Sequence, residues 1–292
     1  MTHVTLLDGG MGQELVRRSG KAPTPLWSTS VMQEQAGLVQ TLHEDFIKAG
    51  ADVITTNAYT CTPCRLARDA NESLFEPLQI TACEIALKAR DSVGRSTVKV
   101  AGCLPPLVAS YRPDLALGDD ESRRSYQRIC DIQSRYVDLF ICETMSSIEE
   151  ALIAGTVACE TGLPTCMALS LDDEKPYRLR SGELLSDALQ ALAELPLQAL
   201  LLNCSRPETI SHAWPILSAG SHVATGAYAN GFTAIDALKP GETVSSLEAR
   251  HDLGPQAYAN FAMEWVANGA TMVGGCCEVG PEHIACLRER LG

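Results

Sequence analysis

Three cysteines stand where short apolar runs end. Cys276 and Cys277 follow Thr271-Met272-Val273-Gly274-Gly275, and Cys204 follows Ala199-Leu200-Leu201-Leu202-Asn203. Three thiolates with an open fourth position make a zinc site that a substrate can enter, whereas structural zinc sites close all four positions with protein ligands. Adjacent strand residues point to opposite faces, so Cys276 and Cys277 can share a metal only if the chain turns there. Gly274 and Gly275 would permit that turn. Two carboxylates, Asp8 and Glu143, also end apolar runs, a costly placement unless each meets a cation or hydrogen-bond donors. Together they suit a ligand ammonium. Gly9 and Gly10 leave backbone N–H groups that a ligand carboxylate can approach closely, so an amino-acid zwitterion would satisfy both halves.

Short, nearly continuous apolar runs position these residues. They cover 4–8, 52–57, 99–103, 139–143, 165–170, 199–203, 222–228 and 271–274, and each has the character of a strand buried on both faces. Helical patterns lie between or after them at 32–49, 74–92, 121–136, 147–161, 182–192, 208–217, 255–268 and 281–291. Ser147 before Glu149 and Glu150 is an N-cap signal, and Pro281 suits a first helical position. Eight strands alternating with helices predict an α/β protein, a (β/α)8 TIM barrel forming one domain over residues 1–292. A doubly wound open sheet is the alternative. Asp8-Gly9-Gly10-Met11-Gly12 lacks the glycine spacing of its nucleotide fingerprint, which sets a dinucleotide site aside. Barrel active sites lie at the C-terminal ends of the strands, where all of these polar residues fall.

The formal net charge of −13 and the lack of any Lys/Arg run exclude nucleic acid as an expected partner. No uninterrupted apolar stretch of membrane-spanning length occurs, and the N-terminus has no export signal, so the expectation is no membrane association and a cytoplasmic location. Twelve cysteines in such a chain are expected to be mostly reduced, many as small buried hydrophobes. Cys61-Thr62-Pro63-Cys64 has the spacing of a redox motif, but it follows a barrel strand and is taken as two ordinary thiols. His283, just inside a helix, is taken as a packing or capping residue rather than a ligand.

Several stretches together resemble the homocysteine S-methyltransferase family of zinc-dependent barrels. They are Asp8-Gly9-Gly10-Met11-Gly12-Gln13-Glu14-Leu15, Gly50-Ala51-Asp52-Val53-Ile54-Thr55-Thr56-Asn57, Cys142-Glu143-Thr144-Met145, Leu202-Asn203-Cys204-Ser205, and Gly274-Gly275-Cys276-Cys277 with Pro281-Glu282-His283-Ile284. The resemblance spans almost the whole chain, in order. It implies that Cys204, Cys276 and Cys277 bind one zinc ion and that homocysteine joins it through sulfur. It also implies that Asp8 and Glu143 lie near the substrate ammonium, with the Gly9 and Gly10 backbone near its carboxylate. Asn57, Asn203 and Asn230 match polar strand-end positions that would support the substrate.

The resemblance leaves the methyl donor to be chosen. Glu143 is followed by Thr144 rather than the aromatic residue of the betaine-using branch, so a sulfonium donor is preferred, S-methylmethionine before S-adenosylmethionine. Trp27, Tyr59, Tyr111 and Arg112 are donor-pocket candidates, and the loop 104–118 is where specificity is expected. The alternatives are a betaine-type or other onium donor and, from another class, a barrel that binds zinc and an amino acid without catalysis. Oligomeric state is not legible.

Overall fold

Alternation along the apolar runs separates their side chains into two cores. In the computed structural model, which describes residues 3–235, 238, 243 and 246–292, Leu7, Val53, Ala101, Leu139, Ile141, Ala168, Leu201 and Tyr228 share an inner cluster. Their sequence neighbours Leu6, Ile54, Val100, Phe140, Met167, Leu200 and Ala227 belong to a larger outer one. One set fills the barrel interior and the alternate set fastens the helices around it.

The barrel strands are β1 (Thr5–Leu6), β2 (Val53–Thr55), β3 (Lys99–Leu104), β4 (Leu139–Met145), β5 (Thr165–Leu169), β8 (Ala199–Asn203), β9 (Ala224–Tyr228) and β10 (Met272–Val273). All pair in parallel, in the order β1-β10-β9-β8-β5-β4-β3-β2. A parallel bridge between Leu7 and Val53 completes the ring. Between β5 and β8 the chain adds an antiparallel hairpin, β6 (Leu171–Asp172) and β7 (Lys175–Leu179).

The helices are α1 (Met11–Ser19), α2 (Ser28–Glu34), α3 (Ala36–Lys48), α4 (Pro63–Asp69), α5 (Phe75–Val93), α6 (Asp119–Gln133), α7 (Ile148–Glu160), α8 (Leu185–Leu192), α9 (Pro207–Gly220), α10 (Pro255–Ala267) and α11 (Pro281–Leu291). The Ser147 hydroxyl accepts from the Glu150 N–H and caps α7, as its position predicts. The helical pattern at 32–49 is broken at Gln35, whose φ of −141° leaves helical space and divides α2 from α3. Helix α1 carries few apolar residues, with only Gly12, Glu14 and Leu15 buried, and so escapes a search for amphipathic periodicity. No helix among the described residues is long and apolar enough to cross a membrane.

Candidate active site

The strand ends converge on a cavity of about 780 Å³, partly open to solvent, lined by Asp8, Gly9, Gly10, Trp27, Asn57, Tyr59, Tyr111, Glu143, Tyr228 and all three predicted cysteines. Five non-glycine residues have positive φ among the described residues: Trp27, Tyr111, Thr144, Cys204 and Glu278. Each lines this cavity or directly follows a residue that does. Such backbone costs of order 1–3 kcal/mol per residue and persists where the surroundings over-determine it, characteristically at functional sites.

Cys204, Cys276 and Cys277 place their sulfurs within 4.8 Å of one another. Cys204 and Cys276 are joined as a disulfide with 5.8 Å between their Cα atoms, and Cys277 is a free thiol. This departs from the expectation of three reduced ligands. Proximity is the reason, since strand ends that close serve either a disulfide or a shared cation. With the pair reduced, the sulfurs need to stand only about 3.8 Å apart to share a tetrahedral zinc ion. The soft donor set therefore fits zinc. Burial pushes the Cys277 thiol up to about 12, so it holds its proton until a cation compensates the charge.

The turn that brings Cys277 beside Cys276 differs from expectation. Neither Gly274 nor Gly275 has positive φ; the left-handed residue is Glu278 (φ 63°). The glycines are required by close packing instead. A Cβ on Gly275 would lie 2.1 Å from the Val279 side chain, and one on Gly274 would lie 2.5 Å from the Leu7 Cβ. Gly9 and Gly10 answer to the same loop, where added Cβ atoms would meet the carbonyl oxygens of Val279 at 2.1 Å and of Cys276 at 2.4 Å. The Gly10 N–H already donates to Val279 O (2.9 Å), so it is not open to a carboxylate. The start of α1, capped at Gly10 by no side chain, presents its first-turn N–H groups beside the cavity instead.

Asp8 and Glu143 reach the cavity from β1 and β4. Asp8 accepts the Thr55 N–H (2.8 Å). Burial, opposed by that bond and reinforced by Glu143, pushes the Asp8 carboxyl up to about 8. Burial pushes Glu143 up to about 7, opposed by the Cys103 thiol. Two carboxyls this reluctant to ionise are stabilised as anions by a shared cation.

The asparagines divide. Asn57 lines the cavity and donates to Ser28 O (3.3 Å). Asn203 is fully buried and spends both ends of its amide on Thr144, so its task is structural support of the residue after Glu143 rather than substrate contact. Asn230 accepts the Phe232 N–H (3.2 Å), does not line the cavity, and keeps its Nδ2 buried without a partner.

Trp27, Tyr59 and Tyr111 line one side of the cavity. Trp27 meets Tyr59 edge to face at 6.4 Å, and its indole N–H donates to Gln13 (2.7 Å). Arg112 does not join them, because it faces outward and pairs with Asp114. Arg180, at the end of the β6–β7 hairpin, went unnoticed in the sequence. It packs over Tyr111 (4.7 Å), pairs with Asp173 (3.1 Å), and donates to Ser170 (2.8 Å) and to the carbonyl of Cys204 (3.2 Å). Sequence reasoning gave no role to Thr55, Cys103 or Tyr228, although Tyr228 stands at the expected end of its strand, two places after Gly226.

The other motifs are structural. Both ring nitrogens of His283 are engaged, Nδ1 with the Gly280 N–H and Nε2 with Leu253 O, each at 3.2 Å. Cys61 is fully buried against Thr29, and burial raises the pKa of both Cys61 and Cys64, away from redox reactivity.

Known proteins resemble this chain over nearly its whole length. A homocysteine S-methyltransferase of Escherichia coli (strain K12) is 29% identical, covering 98% of this chain and 95% of the relative. The S-methylmethionine–homocysteine S-methyltransferase of Rattus norvegicus is 26% identical over 99% of this chain and 78% of its own. The crystal structure of the homocysteine methyltransferase MmuM from Escherichia coli superposes with a TM-score of 0.83 in its metallated form, at 26% identity over 98% of this chain and 96% of that one. Its oxidized form gives 0.82 at 27% identity, with the same coverage. Residues 5–291 match the homocysteine S-methyltransferase family, and the chain belongs to it.

Proposed function

We propose that the chain moves a methyl group from a sulfonium donor, S-methylmethionine by preference, to the sulfur of homocysteine held at a single zinc ion. One observation carries this: three sulfurs within 4.8 Å of one another open on the same cavity as two carboxyls and four aromatic rings. Cys204, Cys276 and Cys277 would hold the metal. When bound, zinc there keeps an acceptor thiol deprotonated at neutral pH, where a free thiol with a pKa of about 8.5 is mostly protonated.

The chain's own groups do the rest. Asp8 and Glu143 bind the homocysteine ammonium, and the Gly9 N–H with the first turn of α1 binds its carboxylate. Anchored at its head, the acceptor has its sulfur directed to the cysteine cluster. Trp27, Tyr59 and Tyr111 offer ring faces to the positive sulfur of the donor. The acceptor sulfur forms a bond to the methyl carbon as the donor's methyl–sulfur bond breaks. The leaving group departs as a neutral thioether, so no general acid is required, and alignment is the main contribution. With S-methylmethionine both products are methionine. The name of the rat relative supports that donor over betaine.

The test is a donor panel with reduced, zinc-loaded protein and homocysteine. Methionine formed from S-methylmethionine faster than from S-adenosylmethionine or betaine is the expected result. Turnover with betaine alone would overturn the donor assignment, and no methionine from any donor would leave the non-catalytic zinc and amino-acid barrel as the better account.

A further inference from the structure

Tyr228 has a hydroxyl with no partner in a place where one is needed. The residue is 5% exposed, its oxygen is buried, and no hydrogen bond reaches it. It belongs to the barrel's inner cluster and lines the cavity with Asp8 and Glu143. Its backbone leaves little freedom to turn away: Tyr228 pairs with Asn203 in the β8–β9 ladder, and its carbonyl accepts the Cys204 N–H at 3.3 Å. A buried hydroxyl without a partner is destabilising, and a ligand group that bonds it removes that cost.

The chemistry of the cavity says which group. An ammonium has three N–H donors. Asp8 and Glu143 account for two of them, and both carboxyls are acceptors when ionised. A phenol oxygen is a neutral acceptor that adds no further charge to the pair. Burial and the nearby Glu143 hold the Tyr228 phenol well above its usual pKa, so it stays protonated and does not act as a base. We propose that the Tyr228 hydroxyl accepts the third hydrogen bond of the acceptor's α-ammonium and thereby selects α-amino thiols. This rests on the placement of that ammonium between Asp8 and Glu143.

The experiment compares wild type and Tyr228→Phe on two acceptors, homocysteine and 4-mercaptobutanoate, which lacks only the amino group. A hydrogen bond to a charged group predicts a roughly ten- to hundredfold loss of kcat/KM for homocysteine, carried by KM. The des-amino thiol should lose nothing, zinc content should equal that of wild type, and ligand-free Tyr228→Phe should melt at a higher temperature because its unpaired hydroxyl is gone. Calorimetric binding of methionine and 4-(methylsulfanyl)butanoate supplies the same cycle if the des-amino thiol turns over too slowly to measure. Equal losses for both acceptors, an undiminished kcat/KM for homocysteine, or a lowered melting temperature would overturn the proposal. The parent assignment fails separately, through a wild-type protein that does not prefer homocysteine to its des-amino analogue.

Discussion

Asn203 clasps Thr144 at both ends of one amide: its Oδ1 accepts the Thr144 N–H at 3.1 Å and its Nδ2 donates to the Thr144 hydroxyl at 3.0 Å. Thr144 needs the clasp, because its φ of 62° is a left-handed conformation that a β-branched residue resists. Glu143 precedes Thr144 and Cys204 follows Asn203, so this pair fixes the carboxyl proposed for the ammonium relative to a cysteine proposed for the metal. Asn203→Ala is expected to cost about 1–3 kcal/mol of stability, since it strands a buried N–H. It should also raise KM for homocysteine severalfold with little change in donor KM. Denaturant unfolding and two-substrate kinetics check both parts, and an unchanged homocysteine KM would confine Asn203 to stability.

The raised carboxyls predict two pH effects. Asp8 is lifted from 3.8 to about 8 and Glu143 from 4.5 to about 7, so the folded ligand-free protein binds more protons than the unfolded chain between those values. Their contribution to stability is fully present below about pH 4 and is lost as pH rises through about 7 to 8. Ammonium binding needs the anions and follows the opposite course. Homocysteine affinity should fall as pH drops below about 7, and melting curves should show acceptor stabilisation growing from pH 6 to pH 8. Glu143→Gln should flatten that dependence; an acid limb unchanged by the substitution would have to be assigned to thiol ionisation.

The cysteine cluster was legible because two adjacent cysteines follow one strand, a third follows another, and the alternation of strands and helices places those strand ends at one mouth. Its turn was legible in position and not in cause: Gly274 and Gly275 are needed for packing against Leu7 and Val279, contacts between distant segments that local spacing does not encode. Asn203 read as a ligand contact because a strand-end amide looks the same whether it faces a substrate or a neighbouring strand. The β6–β7 hairpin was missed because Lys175-Pro176-Tyr177-Arg178-Leu179 is short and mostly polar, and its value lies in a single residue that follows it. Tyr228 was legible as a strand end but not as a site residue, because a strand-end phenol serves core packing equally well.

Removing one sulfur separates the metal from the fold. Reduced wild type should bind one zinc ion per chain, and Cys277→Ala should lose it together with methionine formation. The melting temperature of the metal-free protein should change little, because Cys277 belongs to a small cluster with Cys204, Phe232 and Ile235 rather than to the main core. Metal analysis, activity and melting are read on the same preparation. Full zinc content in Cys277→Ala would remove that residue from the ligand set.

Arg180 joins the two halves of the cavity through one planar group. Its guanidinium reaches the carbonyl of Cys204, which itself sits at φ 47°, and packs over Tyr111 on the aromatic wall, while Ser170 and Asp173 hold it in place. A lysine carries the charge but not the fork, so it cannot make the same set of bonds. Arg180→Met should destabilise the protein by less than the about 3–5 kcal/mol of a fully broken buried pair, because Arg206 still faces Asp173 (3.7 Å). The loss should fall on both functions, with zinc released more readily to a competing chelator and donor KM raised, whereas homocysteine recognition through Asp8 and Glu143 is largely kept. Arg180→Lys should recover both only in part, since one ammonium can replace the Nη2 that bonds the Cys204 carbonyl and Asp173 but loses the Nε bond to Ser170 and the flat face over Tyr111. Chelator competition and donor kinetics on the two variants decide the matter, and a pair that loses stability without any change in zinc retention would reduce Arg180 to a strut of the hairpin.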